Sequence, residues 1–204
     1  MIITQPSLRL SVIACSLLLA GSLHAQMDPG FIGKRYVGAG LFFETVHDVD
    51  IDTGTAFTGT ANLPLTANFD LNGFASYESF DDYDISDTRL GAMLVAYKEL
   101  EYFKPFVEAG VAGTWQESTF GSTTYKSHDG IYIAGLGIEA AVSRSTALFV
   151  KADFNKYFDS KNGDYWTYTA GINTWFDEKI GGYASVAFNE GETTLYSFGV
   201  ICRF

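Results

Sequence analysis

Two short groups of residues carry the side chains best suited to proton transfer. His47 is followed by Asp48 and Asp50, and His128 is followed by Asp129. Because histidine changes its charge near neutral pH, an Asp–His pair could activate a water molecule for hydrolysis. The two groups lie in separate polar stretches, and solvated loop residues are the simpler interpretation. The sequence therefore predicts no catalytic residue and keeps hydrolysis only as the least favoured alternative.

A run of acidic residues offers the hard oxygen ligands that Ca²⁺ prefers. It comprises Asp81, Asp82, Asp84 and Asp87. The spacing of an EF-hand loop is absent, so a solvated acidic loop is favoured over weak divalent-cation binding. We therefore predict neither a metal site nor a cofactor.

The composition limits the kind of protein that could position these groups. The chain has 204 residues, of which 16% are aromatic, with 21 Gly, 4 Pro and a net charge of −11. Disordered acidic chains lack such aromatic content, and nucleic-acid binding requires clustered Lys and Arg. A single ordered domain without a nucleic-acid partner is expected.

The first 25 residues have the pattern of a cleaved secretory signal. Arg9 supplies positive charge, Leu10–Ala20 is an apolar core, and Leu23-His24-Ala25 precedes the predicted cleavage site. Cleavage after Ser22 and a lipoprotein signal ending at Cys15 are the alternatives. Residues 26–34 are interpreted as a short periplasmic lead-in, and residues 35–204 as the mature domain.

The mature chain is expected to contain neither a disulfide nor a membrane helix. Its single cysteine, Cys202, excludes a disulfide within the chain. It contains no run of about 18 apolar residues, so a membrane helix is not expected. A membrane location would therefore require strands.

From residue 35 onward, polar and apolar residues alternate with a period of two, which is typical of β-strands. Most segments reach the ~9–11 residues that a tilted strand needs to cross a membrane. The pattern predicts an all-β, antiparallel, up-and-down transmembrane barrel of ten strands; merging two weak hairpin segments would give eight. The predicted strands are Arg35–Val46, Thr53–Leu63, Phe69–Phe80, Thr88–Lys98, Pro105–Glu117, Gly130–Val142, Thr146–Tyr157, Asp164–Phe176, Ile180–Asn189 and Thr193–Phe204.

The connections between these strands alternate between two kinds, as they do in membrane barrels. Longer polar loops, expected outside the cell, are predicted at His47–Asp52, Asp81–Asp87, Ser118–His128 and Asp159–Gly163. Tight turns, expected in the periplasm together with both termini, are predicted at Pro64–Asn68, Glu99–Lys104, Ser143–Ser145 and Asp177–Lys179.

The alternation also separates an apolar face from a polar face. In the sixth strand, Leu136 and Ile138 oppose Gly137 and Glu139. The apolar face is expected to contact lipid, and the lumen side is expected to tolerate polar change, such as Gly137→Ser. A polar network in the lumen is predicted from Glu44, Asp70, Glu78, Arg89, Glu108, Glu139, Lys151, Asp153 and Arg203.

These mixed charges allow two interpretations of the lumen. Unpaired charges in a narrow space are unfavourable, so a paired network that plugs the barrel is favoured. Within it, Glu139 and Lys151 are expected to pair, with Glu108 on the strand before. The alternative is an ion path that the acidic excess biases toward cations.

Aromatic residues near the strand ends predict an interfacial girdle, since such rings favour the headgroup level of a membrane. The predicted girdle residues are Phe43, Tyr77, Trp115, Trp166, Tyr168 and Phe176.

The terminal strand carries a pattern of alternating aromatic residues that ends in Phe204. Together with the signal and the strand start at Lys104–Gly110, it resembles the small outer-membrane β-barrel proteins of the OmpA/OmpX and porin-family type. The resemblance implies a Gram-negative bacterial outer membrane, contact with outer-membrane lipid and lipopolysaccharide, and recognition by the outer-membrane assembly machinery. The implied assembly signal is Tyr196, Phe198, Val200, Cys202 and Phe204.

The same resemblance leaves several functions open, because such barrels serve many roles. A structural or surface-interaction barrel without enzymatic activity is predicted, and a narrow cation-leaning pore is the second interpretation. A rim-located hydrolase, similar to omptins or lipid A deacylases, is third; Ser127 beside His128 lacks the spacing of such enzymes. The sequence indicates no oligomeric state.

Overall fold

Ten antiparallel strands close into a barrel in the computed structural model, which describes residues 29–46, 54–80, 85–120, 123–190 and 193–204. Each strand pairs with its sequence neighbours, and the first strand pairs with the last. The predicted up-and-down barrel is therefore confirmed with ten strands rather than eight. The strands are β1 Tyr36–Val46, β2 Gly54–Thr66, β3 Phe69–Phe80, β4 Ile85–Tyr97, β5 Phe103–Phe120, β6 Thr123–Ala141, β7 Thr146–Tyr157, β8 Asp164–Trp175, β9 Ile180–Asn189 and β10 Thr193–Arg203.

Several residues singled out in the sequence lie outside the described ranges. They are the predicted signal, His47, Asp48 and Asp50, and the acidic residues Asp81, Asp82 and Asp84.

The barrel has two distinct ends. We name the end that carries Tyr36 and Phe204 the terminal end, and the opposite one the loop end. Tight turns join the strands at the terminal end, as in the β8–β9 turn, where Phe176 N donates to Ile180 O over 2.9 Å. In that turn Asp177 Oδ1 accepts hydrogen bonds from the backbone N–H groups of Lys179 and Ile180, each over 2.7 Å. These two donors hold the pKa of Asp177 below its usual range.

The β5–β6 hairpin is longer than the sequence pattern predicts. The segment 118–128 was expected to be a loop, but β5 continues to Phe120 and β6 begins at Thr123. Cross-strand side-chain pairs stabilise this extension: Lys126 Nζ donates to Glu117 Oε2 over 2.9 Å, and the hydroxyls of Thr119 and Thr124 lie 3.2 Å apart. Threonine and tyrosine also favour strands, so polar composition alone was a poor guide to a loop.

The end of β2 gives a second correction. The segment 64–68 was expected to be a turn, but β2 continues to Thr66. Its pairing with β3 shifts between Pro64 and Thr66, which marks a bulge. Proline has no N–H to donate to a neighbouring strand, and bulges near strand ends are where it is tolerated.

Helical structure is minor in the part of the chain that the structure describes. A 3₁₀ turn, Ser160–Asn162, lies between β7 and β8. Within the described ranges, no helix is long and apolar enough to cross a membrane.

Inward-facing aromatic rings lie against glycines of neighbouring strands. The Phe106 ring occupies the space that a side chain at Gly137 would need, and the Tyr183 ring does the same at Gly199. Glycine weakens an isolated strand, but it permits this close approach of a ring to the backbone. The same relation holds for Phe74 with Gly91 and for Phe149 with Gly171.

This packing reverses the expectation that Gly137 tolerates substitution. A Cβ atom at Gly137 would overlap the Phe106 ring and lie 2.6 Å from the Val150 carbonyl oxygen. We expect Gly137→Ala to lower the free energy of unfolding by about 1–3 kcal/mol through overpacking. Denaturant unfolding in lipid vesicles measures this loss. The control is Gly73→Ala, where the nearest atom to an added Cβ is 3.9 Å away; equal losses at the two sites would contradict the prediction.

Candidate functional site

The lumen contains a cavity of about 480 Å³ lined by side chains from all ten strands. Its lining includes hydroxyl groups, such as those of Thr58, Thr169 and Ser185, and apolar side chains, such as those of Met93 and Ile133. Charged side chains gather in separate groups around this cavity. The lumen is therefore the candidate functional site.

The first charged group has Lys151 at its centre. Lys151 Nζ donates to Glu108 Oε1 over 2.8 Å and lies 2.9 Å from Asp153 Oδ2. Both carboxylates are buried, with exposed fractions of 7% and 6%. Gly135 lies between them in the register of β5, β6 and β7, and its lack of a side chain leaves room for the contact.

The expected pairing of Lys151 with Glu139 is wrong. The register places Lys151 opposite Gly137, from which its side chain turns toward Glu108 and Asp153. Glu139 instead accepts hydrogen bonds from the Phe31 backbone N–H over 2.9 Å and from Asn173 Nδ2 over 3.1 Å.

A second charged group lies near the loop end. Arg89 Nε donates to Asp87 Oδ2 over 2.8 Å, and the carboxyl groups of Glu78 and Glu44 lie near each other. Asp87 was predicted in an external loop, but it lies in β4 opposite Glu78. Pairing with Arg89 explains why a carboxylate is tolerated at this inward position.

Arg203 is separate from both groups. Its guanidinium carbon lies 4.3 Å from the centre of the Trp175 ring at the terminal end, a cation–π contact. The lumen charges therefore form several local groups rather than the one network that the sequence predicted.

The N-terminal segment, residues 29–34, enters the lumen at the terminal end. Side chains of the barrel wall bind its backbone there. Phe31 N donates to Glu139 Oε2 over 2.9 Å, and Gly33 N donates to Asp70 Oδ2 over 2.7 Å. The lead-in predicted outside the barrel is thus, over its described part, packed within the barrel mouth.

Three further side chains bind carbonyl oxygens of the same segment. Lys104 Nζ donates to Ile32 O over 3.0 Å, Asn62 Nδ2 to Lys34 O over 2.8 Å, and Trp175 Nε1 to Gly30 O over 3.4 Å. With Glu139 and Asp70, the donors and acceptors come from β2, β3, β5, β6 and β8. We name these five wall residues the mouth site: Asn62, Asp70, Lys104, Glu139 and Trp175.

A tight turn shapes the segment. Lys34 N donates to Phe31 O over 3.2 Å, and Gly33 adopts a φ of +82°. Glycine suits this position because other residues are strained at positive φ. An added Cβ would also lie 2.8 Å from Tyr97 Oη.

Apolar contacts on two sides hold the segment. The Phe31 ring packs edge-on against Trp175 at 5.2 Å and clusters with Tyr36 and Ile201. Ile32 packs against a second cluster, formed by Val95, Tyr97 and Phe106. Burial of both side chains adds hydrophobic stabilisation to the backbone hydrogen bonds.

All nine residues of the predicted lumen network occupy inward-facing strand positions. Their role in closing or conducting stays a prediction. Sequence reasoning missed Asp87, Lys104, Asn62 and Asn173. The alternation itself could have identified Lys104, because Lys104 lies two residues before Phe106 and four before Glu108 on the same face. The predicted turn 99–104 includes it instead.

The predicted girdle residues occupy outward positions. Phe43, Tyr77, Trp115, Trp166 and Tyr168 lie on the loop-end half of their strands, whereas Phe176 lies in a terminal-end turn with 67% of its surface exposed. Outward aromatics missed at the terminal end are Phe69 and Phe103. The girdle role stays a prediction, as does the assembly role of Tyr196, Phe198, Val200, Cys202 and Phe204, all of which are exposed.

Of the two predicted histidine–aspartate groups, the structure describes His128 with Asp129, and Asp129 has a structural role there. His128 and Asp129 are neighbours in β6, so their side chains point to opposite faces. Asp129 accepts hydrogen bonds from Gly130 N, Asp159 N and Asn162 Nδ2, and thereby holds the β7–β8 connection. Over the described ranges, no three His, Cys, Asp or Glu side chains are arranged to hold a metal ion.

Several solved structures have a similar fold. The β domain of the Bordetella autotransporter BrkA has a TM-score of 0.50 at 9% identity, covering 84% of this chain and 100% of that one. Neisserial surface protein A has a TM-score of 0.47 at 13% identity, covering 83% and 97%. The N-terminal barrel of Pseudomonas aeruginosa OprF has a TM-score of 0.41 at 13% identity, covering 84% and 98%. At these identities the likeness concerns the fold alone.

Comparison with sequence families identifies the family of this chain. No curated protein matches the chain. The family model for the outer membrane protein beta-barrel domain matches residues 13–204, which is most of the chain. This chain therefore belongs to the outer membrane protein β-barrel family and is a protein of the bacterial outer membrane.

Proposed function

We propose that this protein is a closed outer-membrane barrel with a structural or surface-interaction role and without enzymatic activity. The observation that carries the proposal is the N-terminal segment held in the terminal mouth by side chains from five strands. A ten-stranded barrel is narrow enough for side chains to obstruct it. The Lys151 group narrows the lumen without filling it, since a cavity of about 480 Å³ remains beside it.

The proposal includes an orientation and partners. The terminal end faces the periplasm, and the loop-end hairpins, including the long β5–β6 hairpin, are presented at the cell surface. The outward aromatic and aliphatic side chains contact lipid and lipopolysaccharide. Export by the predicted signal and insertion by the assembly machinery through the terminal strand belong to the same proposal.

Conductance of the refolded wild-type protein in a planar lipid bilayer tests closure. We expect the current to stay at the level of the protein-free bilayer, because the mouth is occupied. A steady current at neutral pH from the unmodified protein would contradict the proposal.

A narrow cation-leaning pore is the second candidate. It is supported by the excess of carboxylates among the described inward side chains, where Glu44, Asp70, Glu78, Asp87, Glu108, Glu139 and Asp153 oppose Arg89, Lys104, Lys151 and Arg203. Acidic linings favour cations. Reversal-potential measurements in a salt gradient identify this function if the wild-type protein conducts.

A further inference from the structure

We propose that the mouth site is a peptide-binding site, that residues 29–34 are its resident ligand, and that release of this ligand opens the lumen. The inference rests on the proposed closed barrel and names the element that closes it. The ligand class is a short peptide with an aromatic residue, an aliphatic residue and a glycine in succession.

The mouth site recognises backbone atoms. Two carboxylates accept N–H groups, and an ammonium, an amide and an indole donate to carbonyl oxygens. Hydrogen bonds that involve a charged partner are stronger than neutral ones. Because the contacts are made to the main chain, they suit any peptide that adopts this conformation.

The buried charges of the site favour an occupied state. The exposed fractions of Asp70, Glu139 and Lys104 are 1%, 3% and 6%. Burying such groups is unfavourable unless hydrogen bonds compensate. Each of the three loses one of its hydrogen bonds when residues 29–34 leave. A replacement peptide would restore these hydrogen bonds, which water must otherwise provide.

Specificity comes from two apolar pockets and one backbone angle. Phe31 occupies the pocket of Tyr36, Trp175 and Ile201, and Ile32 packs on the opposite cluster. The next position requires glycine because of its positive φ and its proximity to Tyr97. The sequence Phe-Ile-Gly therefore fits the site, and permuted peptides would not.

The resident peptide can leave without disturbing the sheet. Its described hydrogen bonds to the wall come from side chains, and it precedes the first strand. Release therefore breaks none of the strand–strand pairing that holds the barrel closed. This separability distinguishes the segment from a strand or a fixed loop.

The test uses a full-length release variant, Phe31→Asp with Ile32→Asp. Charged groups in the two apolar pockets disfavour the seated segment strongly, so we expect bilayer conductance to rise at least about tenfold above the wild-type baseline. A synthetic peptide with the sequence of residues 29–34, added on the terminal-end side, should return the current to baseline. A peptide of the same composition in scrambled order should not. The control variant, Leu100→Asp with Tyr102→Asp, adds the same two charges at exposed positions of the β4–β5 turn, outside the mouth site, and should stay closed.

A labelling measurement separates release from misfolding. Lys34→Cys in a Cys202→Ser background should react slowly with a membrane-impermeant maleimide, and faster when the two release substitutions are added. Faster labelling with no current would overturn the inference while leaving the closed barrel intact. A current that the matching peptide fails to block would overturn the peptide-binding site. A current from the wild type would instead overturn the proposed function.

Discussion

Replacement of Lys151 by methionine is expected to lower the free energy of unfolding by about 3–5 kcal/mol. The ammonium group contacts two buried carboxylates, Glu108 and Asp153, over 2.8 and 2.9 Å. Methionine has a similar length but no charge, so the substitution leaves both carboxylates buried without their cation. Denaturant titration of the refolded protein in lipid vesicles, followed by tryptophan fluorescence, measures the loss.

The matched control removes the negative charges as well. The triple variant Lys151→Met, Glu108→Gln, Asp153→Asn keeps the volume of the group and eliminates its charge. It should be considerably more stable than the single variant, because replacing a whole buried ion group is often close to neutral. A triple variant that is less stable than Lys151→Met alone would show that the charges are solvated rather than paired.

Replacement of Leu136 by arginine is expected to lower the free energy of unfolding in lipid by about 2–4 kcal/mol. Leu136 faces outward from β6 with 60% of its surface exposed, opposite Val107 of β5 and Ala152 of β7. An arginine at this position would place a charge against the hydrocarbon. The folded fraction in vesicles, read from heat-modifiable migration on gels and from the denaturant midpoint, provides the measurement.

Leu136→Met is the control for this prediction, since methionine keeps the apolar character and approximate volume. It should fold in vesicles like the wild type. If arginine and methionine gave the same folded fraction, β6 would have to be shifted by one residue, because a one-residue slip exchanges the two faces of a strand.

Strand positions could be predicted from sequence because one face of each strand contacts lipid, which makes every second residue apolar. The bounds of β3, β7 and β9 agree with the alternation to the residue. The pattern failed where polar residues continued a strand beyond its apolar stretch, as in the β5–β6 hairpin. There, pairs such as Glu117 with Lys126 stabilise strands in water, and an apolar face is no longer required.

The candidate site was harder to predict than the fold. Alternation identifies which side chains face inward but not which of them meet, so Glu139 was paired with the wrong residue. The contacts that decide this are distant in sequence: Phe31 lies 108 residues from Glu139, and Gly30 lies 145 residues from Trp175. No local pattern encodes such contacts, and a segment of six residues without alternation gave no sign that it enters the lumen.

The N-terminal segment has a consequence for the order of folding. Its hydrogen-bonding partners lie on β2, β3, β5, β6 and β8, all of which follow it along the chain. The first part of the described chain therefore has nowhere to bind until most of the wall has assembled, and it docks last. We therefore expect a barrel that has just inserted into the membrane to pass through a stage in which the mouth site is unoccupied. Under the proposed closure, sealing of the lumen is a separate event from closure of the sheet and has its own rate.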